Sequence, residues 1–355
     1  MDLNALMQDV VASNSPDLHL QVGQPPIVRV KTGNIVTISK YPVLKLEEMY
    51  KIVEDITTDA QKKEYEENLE VDFSFSIDGA GRFRVNVYHD RFGPAIAFRV
   101  ISDRIPTLEE LGLGSAIEQL LQLPNGLVLL TGPTGCGKST SLAAMIDYIN
   151  QHRNAHIITI EDPIEYVYKN KNCLITQREV KVHTHNFANA MRAALRQDPD
   201  VVLVGEMRDL ETIAAALTLA ETGHLVFSTL HTTDSVQTID RIIDVFPPGQ
   251  QGQIRNQTGN MLRGVISQLL IPHASGEGRI AAREVMISND AIRNCIALGQ
   301  TQQIYSMIQI GASDGMMLMD EALEQLVKSG HISKEDALAK AHDLESLSNR
   351  LDKIR

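Results

Sequence analysis

A chain of 355 residues with 43% hydrophobic and 22% charged residues is too long for one ordinary core and too apolar for a disordered polymer, so two folded domains are expected. The formal net charge of -12 argues against a protein that grips nucleic acid by neutralising phosphates, leaving open only a locally basic pore in a ring. Three cysteines far apart, with no C-x-x-C pair, exclude a disulfide framework and a cysteine zinc site and fit a reducing compartment.

The first residues carry acids early and lack the basic-then-apolar pattern of a signal peptide. No apolar run approaches the ~18 residues needed to span a bilayer. A cytoplasmic chain with only peripheral membrane contact is expected. Helical spacing over 2–13 puts Leu3, Leu6, Met7, Val10 and Val11 on one side. Strand-like runs follow at 18–22, 27–30 and 34–38, then helical stretches at 45–56 and 59–68, then strands at 71–77, 81–89 and 95–100. This mixture predicts a small α+β domain over residues 1–100. Residues 101–114, with Pro106, two glycines and several charges, read as a linker containing a short helical turn. Beyond it, short apolar runs at 126–131, 156–160, 201–205 and 225–230 alternate with helical patterns. That alternation predicts an α/β core with a mainly parallel sheet over 115–290. From Ala291 only helical spacing continues, giving a helical region over 291–355 in which Gly330 and His331 break helices and Ser333 with Asp336 caps the last one.

Residues 132–139 read GPTGCGKS and match G-x-x-x-x-G-K-[ST], with Gly132, Gly137, Lys138 and Ser139 at the fixed points. Pro133, Thr134, Gly135 and Cys136 fill the variable places, and Thr140 opens the helical run that leaves. A buried-type strand enters this loop and a helix departs, the context a phosphate cradle needs. Glycines let backbone N–H groups turn inward around phosphates, and the helix N-terminus adds its positive end. Lys138 would reach the β- and γ-phosphates of ATP, and the Ser139 hydroxyl would ligate Mg²⁺. Cys136 is either a small filler between glycines or a thiol at a helix start.

Hydrolysis also needs one carboxylate near the metal and another for the attacking water. The run 201–204 is followed by Gly205 and Glu206. Many phosphate-loop enzymes place a metal-binding Asp where Gly205 stands, so the metal-side acid must come from elsewhere. The run 156–160 ends in Glu161-Asp162-Pro163-Ile164-Glu165. Acids at the carboxyl ends of parallel strands face the crevice where nucleotides bind, and Pro163 would stop the strand there. Glu206 is therefore assigned to the attacking water and Glu161 to the metal, directly or through water. A third strand end carries His231, either a sensor of the γ-phosphate or a structural histidine.

Taken together, GPTGCGKST, TIEDPIEY (159–166), LRQDPDVVLVGEMRD (195–209) and TGHLVFSTLHTTD (222–234) resemble, in letters, order and spacing, the Walker A, Asp-box, Walker B and His-box motifs of the type II/IV secretion ATPases. Within that superfamily DLHLQVGQPP (17–26) and AIRNCI (291–296) are similar to segments of the pilus retraction ATPases, the second departing from AIRNLI at Cys295. Cys136 stands where Ser is more usual. A length of 355 residues is too short for the long extra N-terminal region of assembly ATPases, and there are no cysteine pairs for the four-cysteine zinc element that their relatives often carry, so retraction is expected over assembly or secretion. The resemblance implies a RecA-like phosphate-loop ATPase core, a PAS-like N-terminal domain, and a homohexameric motor that powers type IV pilus retraction and twitching motility. It further implies a membrane-embedded pilus platform protein at the inner membrane as partner, ATP and Mg²⁺ as cofactors, and no nucleic acid. The nucleotide would be completed by Arg84 and Arg99 of a neighbouring subunit, and residues 291–296 would couple ATP use to retraction. The rivals are a ring translocase on DNA, marked by salt-dependent nucleic-acid affinity, and a scaffold that binds ATP without turning it over, marked by absent phosphate release.

Overall fold

The computed structural model describes residues 1–30, 34–101 and 104–353, in two compact units: Met1–Arg104 with Pro163–Val167, and Ile105–Asp162 with Tyr168–Arg355. Ser102 and Asp103 of the expected linker, and Ile354 and Arg355 of the expected helical region, lie outside the described residues.

The first unit runs α1 (Leu3–Ala12), β1 (Asp17–Gln21), β2 (Ile27–Arg29), β3 (Ile35–Thr37), α2 (Leu46–Ile56), α3 (Asp59–Asn68), β4 (Glu70–Ile77), β5 (Gly81–Asp90) and β6 (Gly93–Ile101). Each element lies within two residues of its expected run at both ends. The strands form one sheet in the order β3-β2-β1-β6-β5-β4, every neighbouring pair antiparallel. Asp2 starts α1 by accepting the Ala5 N–H, and Leu6, Met7 and Val10 are buried from that helix. Alternation sets the core: Phe83, Val85 and Val87 of β5 are fully buried, whereas Arg82, Arg84 and Asn86 take the other face. Phe83 meets Phe98 edge-on, ring centroids 6.3 Å apart, a favourable aromatic geometry.

The second unit opens on a turn in which Thr107 and Glu110 bond reciprocally, side chain to backbone N–H. It continues α4 (Ser115–Leu121), β7 (Gly126–Thr131), α5 (Lys138–His152), β8 (His156–Glu161), β9 (Leu174–Glu179), α6 (Phe187–Ala194), β10 (Val201–Val204), α7 (Leu210–Glu221), β11 (Leu225–Leu230), α8 (Ser235–Asp244), α9 (Pro248–Met261), β12 (Leu262–Pro272) and β13 (Arg279–Ile287). Helices α10 (Asp290–Leu298), α11 (Ile304–Ile310), α12 (Met319–Lys328), α13 (Lys334–Leu338) and α14 (Leu344–Leu351) complete it. The sheet order is β13-β12-β7-β11-β10-β8-β9. All neighbours are parallel except the β12–β13 pair, so the chain is α/β with a mainly parallel, RecA-like core. Every residue of β7, β10 and β11 is buried, as strands covered on both faces must be.

Three strands were not expected from sequence. β9 is a half-exposed edge strand with polar alternation, and β12 and β13 interrupt their apolar runs with Arg, Gln, Gly and Glu. The Ser333–Asp336 pair does cap a helix, but it is α13 and not the last one, because Asp343 caps α14 beyond it.

Candidate functional site

β7 lies between β12 and β11, and its carboxyl end delivers residues 132–137 to the start of α5 at Lys138. Gly135 and Gly137 hold φ of +78° and +86°, the left-handed region where side chains strain the backbone. At Gly132 the limit is contact: a Cβ there would sit 2.3 Å from the Gln268 carbonyl oxygen and 2.8 Å from Cys136 Sγ. Lys138 Nζ donates to the carbonyls of Gly132 at 2.6 Å and Pro133 at 3.1 Å, which holds the ammonium over the loop. Pro133, Thr134, Gly135 and Ser139 are exposed, Gly137, Lys138 and Thr140 half-buried, and Cys136 buried. Burial pushes the Cys136 thiol up against the opposing pull of Lys138, so the loop holds it as a filler and not as an activated thiolate.

Gln268 of β12 was not anticipated, and it braces this loop from behind. Its Nε2 donates to the Cys136 carbonyl at 2.5 Å. Its Oε1 accepts from Ser141 Oγ of α5 at 2.9 Å and from Arg283 Nε of β13 at 2.7 Å. Burial lowers Arg283 to about 10. Gln268→Ala and Gln268→Glu are expected to separate two effects. The Ala variant leaves Arg283 Nε and the Cys136 carbonyl without their Gln268 partner, while Arg283 Nη1 keeps the Gly112 carbonyl, costing about 1–3 kcal/mol of stability for each group left unpaired. The Glu variant keeps an acceptor for Arg283 and Ser141 but sets a carboxylate oxygen against the Cys136 carbonyl. Nucleotide affinity falls in both, and the melting temperature falls mainly in Ala; unchanged affinity in both would show that Gln268 only packs.

The neighbouring strand ends bring acids to the same edge. Register pairs Val204 with Ile160 on one side and with Ser228 on the other, and Leu230 with Thr131. Glu161, Gly205 and His231 therefore close three strands beside the loop strand. Glu161 is buried, and its Oε1 accepts from Thr159 Oγ1 at 2.6 Å and Gln177 Nε2 at 3.2 Å. Gly205 donates its N–H to the Ile160 carbonyl at 2.8 Å. A Cβ there would lie 3.3 Å from that oxygen and 3.5 Å from Glu161 Cα, a tight seat for the Asp found at this place in other phosphate-loop proteins. Glu206 follows, its carboxylate 2.6 Å from Arg208 Nε and 3.5 Å from His231 Nε2. The structure thus joins Glu206 with His231, two candidates from different strands. Other motif residues serve the scaffold: Asp209 caps α7 and Asp234 caps α8.

Arg84 and Arg99 belong to the first unit and face each other across the β5–β6 pair. They line a cleft of about 250 Å³ on the sheet with Asp17, His19, Arg29 and Asp72. Arg99 Nε donates to Asp17 Oδ1 at 2.8 Å, and Arg29 lies 3.8 Å from the other Asp17 oxygen.

In α10, Ile292, Cys295 and Ile296 are buried, so Cys295 takes an apolar core position. Asn294 is exposed, and Arg293 keeps 40% of its side chain exposed. It flanks the apolar face, and its long side chain folds back so that Nε is buried.

Comparison with known proteins identifies the family, described as "Type II/IV secretion system protein", across residues 1–347. The chain belongs to this family. It is 50% identical over 341 residues to the type IV pilus retractation ATPase PilT of Pseudomonas aeruginosa, covering 96% of this chain and 98% of the relative. A twitching motility protein of Neisseria gonorrhoeae is 50% identical over 323 residues, covering 91% of this chain and 86% of the relative. The crystal structure of the pilus retraction motor PilT with bound ADP superposes with a TM-score of 0.92 at 46% identity, over 98% of this chain and 99% of the other. Among the described residues of this family member, no helix is long and apolar enough to cross a membrane.

Proposed function

We propose that this chain is a Mg²⁺-dependent ATPase acting as a homohexameric motor that retracts type IV pili and so drives twitching motility. The observation that carries this reading is the ADP-bound retraction motor's agreement with the chain over nearly its whole length. The motor works in the cytoplasm, peripherally at the inner membrane, against a pilus platform protein, and engages no nucleic acid.

The loop residues Gly132 to Thr140 hold the nucleotide phosphates with backbone N–H groups and the Lys138 ammonium. The donor set fits Mg²⁺: the Ser139 hydroxyl and the Glu161 carboxylate are hard oxygen ligands, and Mg²⁺ ordinarily takes one or two carboxylates together with substrate phosphates. Bound there, the metal would neutralise charge on the transferring phosphoryl group. Glu206 orients the attacking water, and His231 beside it reports on the γ-phosphate. Arg84 and Arg99 reach the nucleotide of a neighbouring subunit. The buried side of residues 291–296 anchors α10, and its exposed Asn294 serves the coupling to retraction.

A strain lacking this chain is expected to be hyperpiliated and unable to twitch. Wild-type chain restores twitching, and Glu206→Gln does not although it accumulates to the same level. Normal twitching in the deletion strain would overturn the retraction reading while leaving the ATPase reading to phosphate-release assays.

A further inference from the structure

β7 carries the phosphate loop at its carboxyl end; a second cavity lies at its amino end. It measures about 370 Å³ and is walled on its apolar side by Leu120, Leu123, Pro124 and Ile287, within the size range of small-molecule pockets. Its polar side holds Gln119, Asn125, Arg263, Ser288 and Arg293. Among the described residues no carboxylate lines it.

The Arg263 guanidinium is built in. A Cβ on Gly126 would fall 2.4 Å from Arg263 Cγ, so only glycine lets Arg263 lie across the start of β7. Arg263 Nη1 donates to the Asn260 carbonyl at 2.6 Å and Nη2 to Asn125 Oδ1 at 3.2 Å. Both acceptors are neutral, so they aim the charge without cancelling it. Burial, and then the Arg293 charge, holds Arg263 below the usual arginine range. Arg293 has one acid, Asp290, 3.2 Å from Nη1 and 99% exposed, a pair that solvent screens. Two buried donors in this wall have no hydrogen-bond partner: Arg293 Nε and Ser288 Oγ. Ser288 is only 8% exposed. Buried polar atoms are almost always satisfied, and converging cations with orphan donors are what an oxyanion satisfies.

We propose that this cavity binds a small organic anion, its phosphate or carboxylate head held by Arg263, Arg293 and Ser288 and its apolar body against Leu120, Pro124 and Ile287. The site is separate from the phosphate loop and gives the chain a second ligand.

The test is calorimetric titration of the full chain, with ADP saturating, using phenyl phosphate, benzoate and inorganic phosphate as probes. Phenyl phosphate and benzoate are expected to bind one per chain, and inorganic phosphate more weakly for want of the apolar wall. Arg263→Gln and Arg293→Gln each weaken binding about tenfold or more, the loss of a hydrogen bond to a charged group. Ser288→Ala, which keeps the fold, weakens it severalfold with an unchanged melting temperature. ADP binding is read separately, so a failure of the nucleotide site does not obscure these arms. Equal affinities across the three variants overturn the site, as does no binding of either aromatic anion at millimolar concentration. Inorganic phosphate binding as tightly as phenyl phosphate overturns the apolar wall. Binding of an acetylated Asp-Glu dipeptide amide with neither aromatic anion overturns the small-ligand assignment in favour of a protein acid.

Discussion

Lys138→Ala is expected to lose nucleotide affinity by about 10²-fold or more, whereas Glu206→Gln binds ATP normally and hydrolyses it about 10²–10⁴-fold more slowly. The two residues do different physical work. Lys138 sits at the first position of α5, and its ammonium already arcs back over the loop to the Gly132 and Pro133 carbonyls. In the proposed role its removal takes away a charge that would face two phosphates, a loss shared by ground state and transition state alike. Glu206 follows the end of a different strand, β10, and its carboxylate lies 2.6 Å from Arg208 and 3.5 Å from His231. Glutamine keeps its shape there but cannot take a proton from water. Titration with a fluorescent nucleotide reads the first effect, and phosphate release under saturating ATP reads the second. Undiminished turnover in Glu206→Gln would remove Glu206 from the chemistry and leave Glu161 as the acid to examine.

Arg84→Ala and Arg99→Ala are each expected to lower turnover by up to about 10³–10⁵-fold, the contribution of an arginine supplied from outside the loop, with the melting temperature nearly unchanged. Stability is spared because neither side chain belongs to the core of its unit; Phe83, Val85 and Phe98 do. Like charges directly opposite on a sheet face repel, and Arg84 and Arg99 are cross-strand partners. Asp17 relieves that repulsion at Arg99. The pair therefore costs the fold something, and activity is the gain that would offset it. Rings mixed from Arg84→Ala and Lys138→Ala chains should recover part of the activity. Each mixed interface of one orientation joins an intact loop to an intact arginine. If mixed rings co-assemble and remain as inactive as either parent, the arginines do not act between subunits.

The strand that enters the phosphate loop, the helix that leaves it and the strands ending at Glu161, Glu206 and His231 were all legible locally. The strands are short, largely apolar runs, with Thr159 inside β8 and Ser228 and Thr229 inside β11, and a buried parallel strand demands such a composition. The small N-terminal domain was legible for a complementary reason: β1, much of β4 and β5 alternate between a core face and the other face of the sheet, so the period is written in the residues themselves. Tertiary structure alone decided what supports the loop. Gln268 reaches the Cys136 carbonyl across 132 residues of sequence, from a strand whose polar interruptions hide it from any local pattern. Those interruptions are the function of the strand, since a buried amide must meet partners on three elements, and a single sequence shows the amide but not the partners. The same holds for Arg293. Its helical position fixed the side of α10 on which it starts, but the length of an arginine lets packing decide where its charge ends, and here it ends half-exposed on a cavity wall shared with Arg263 and Ser288.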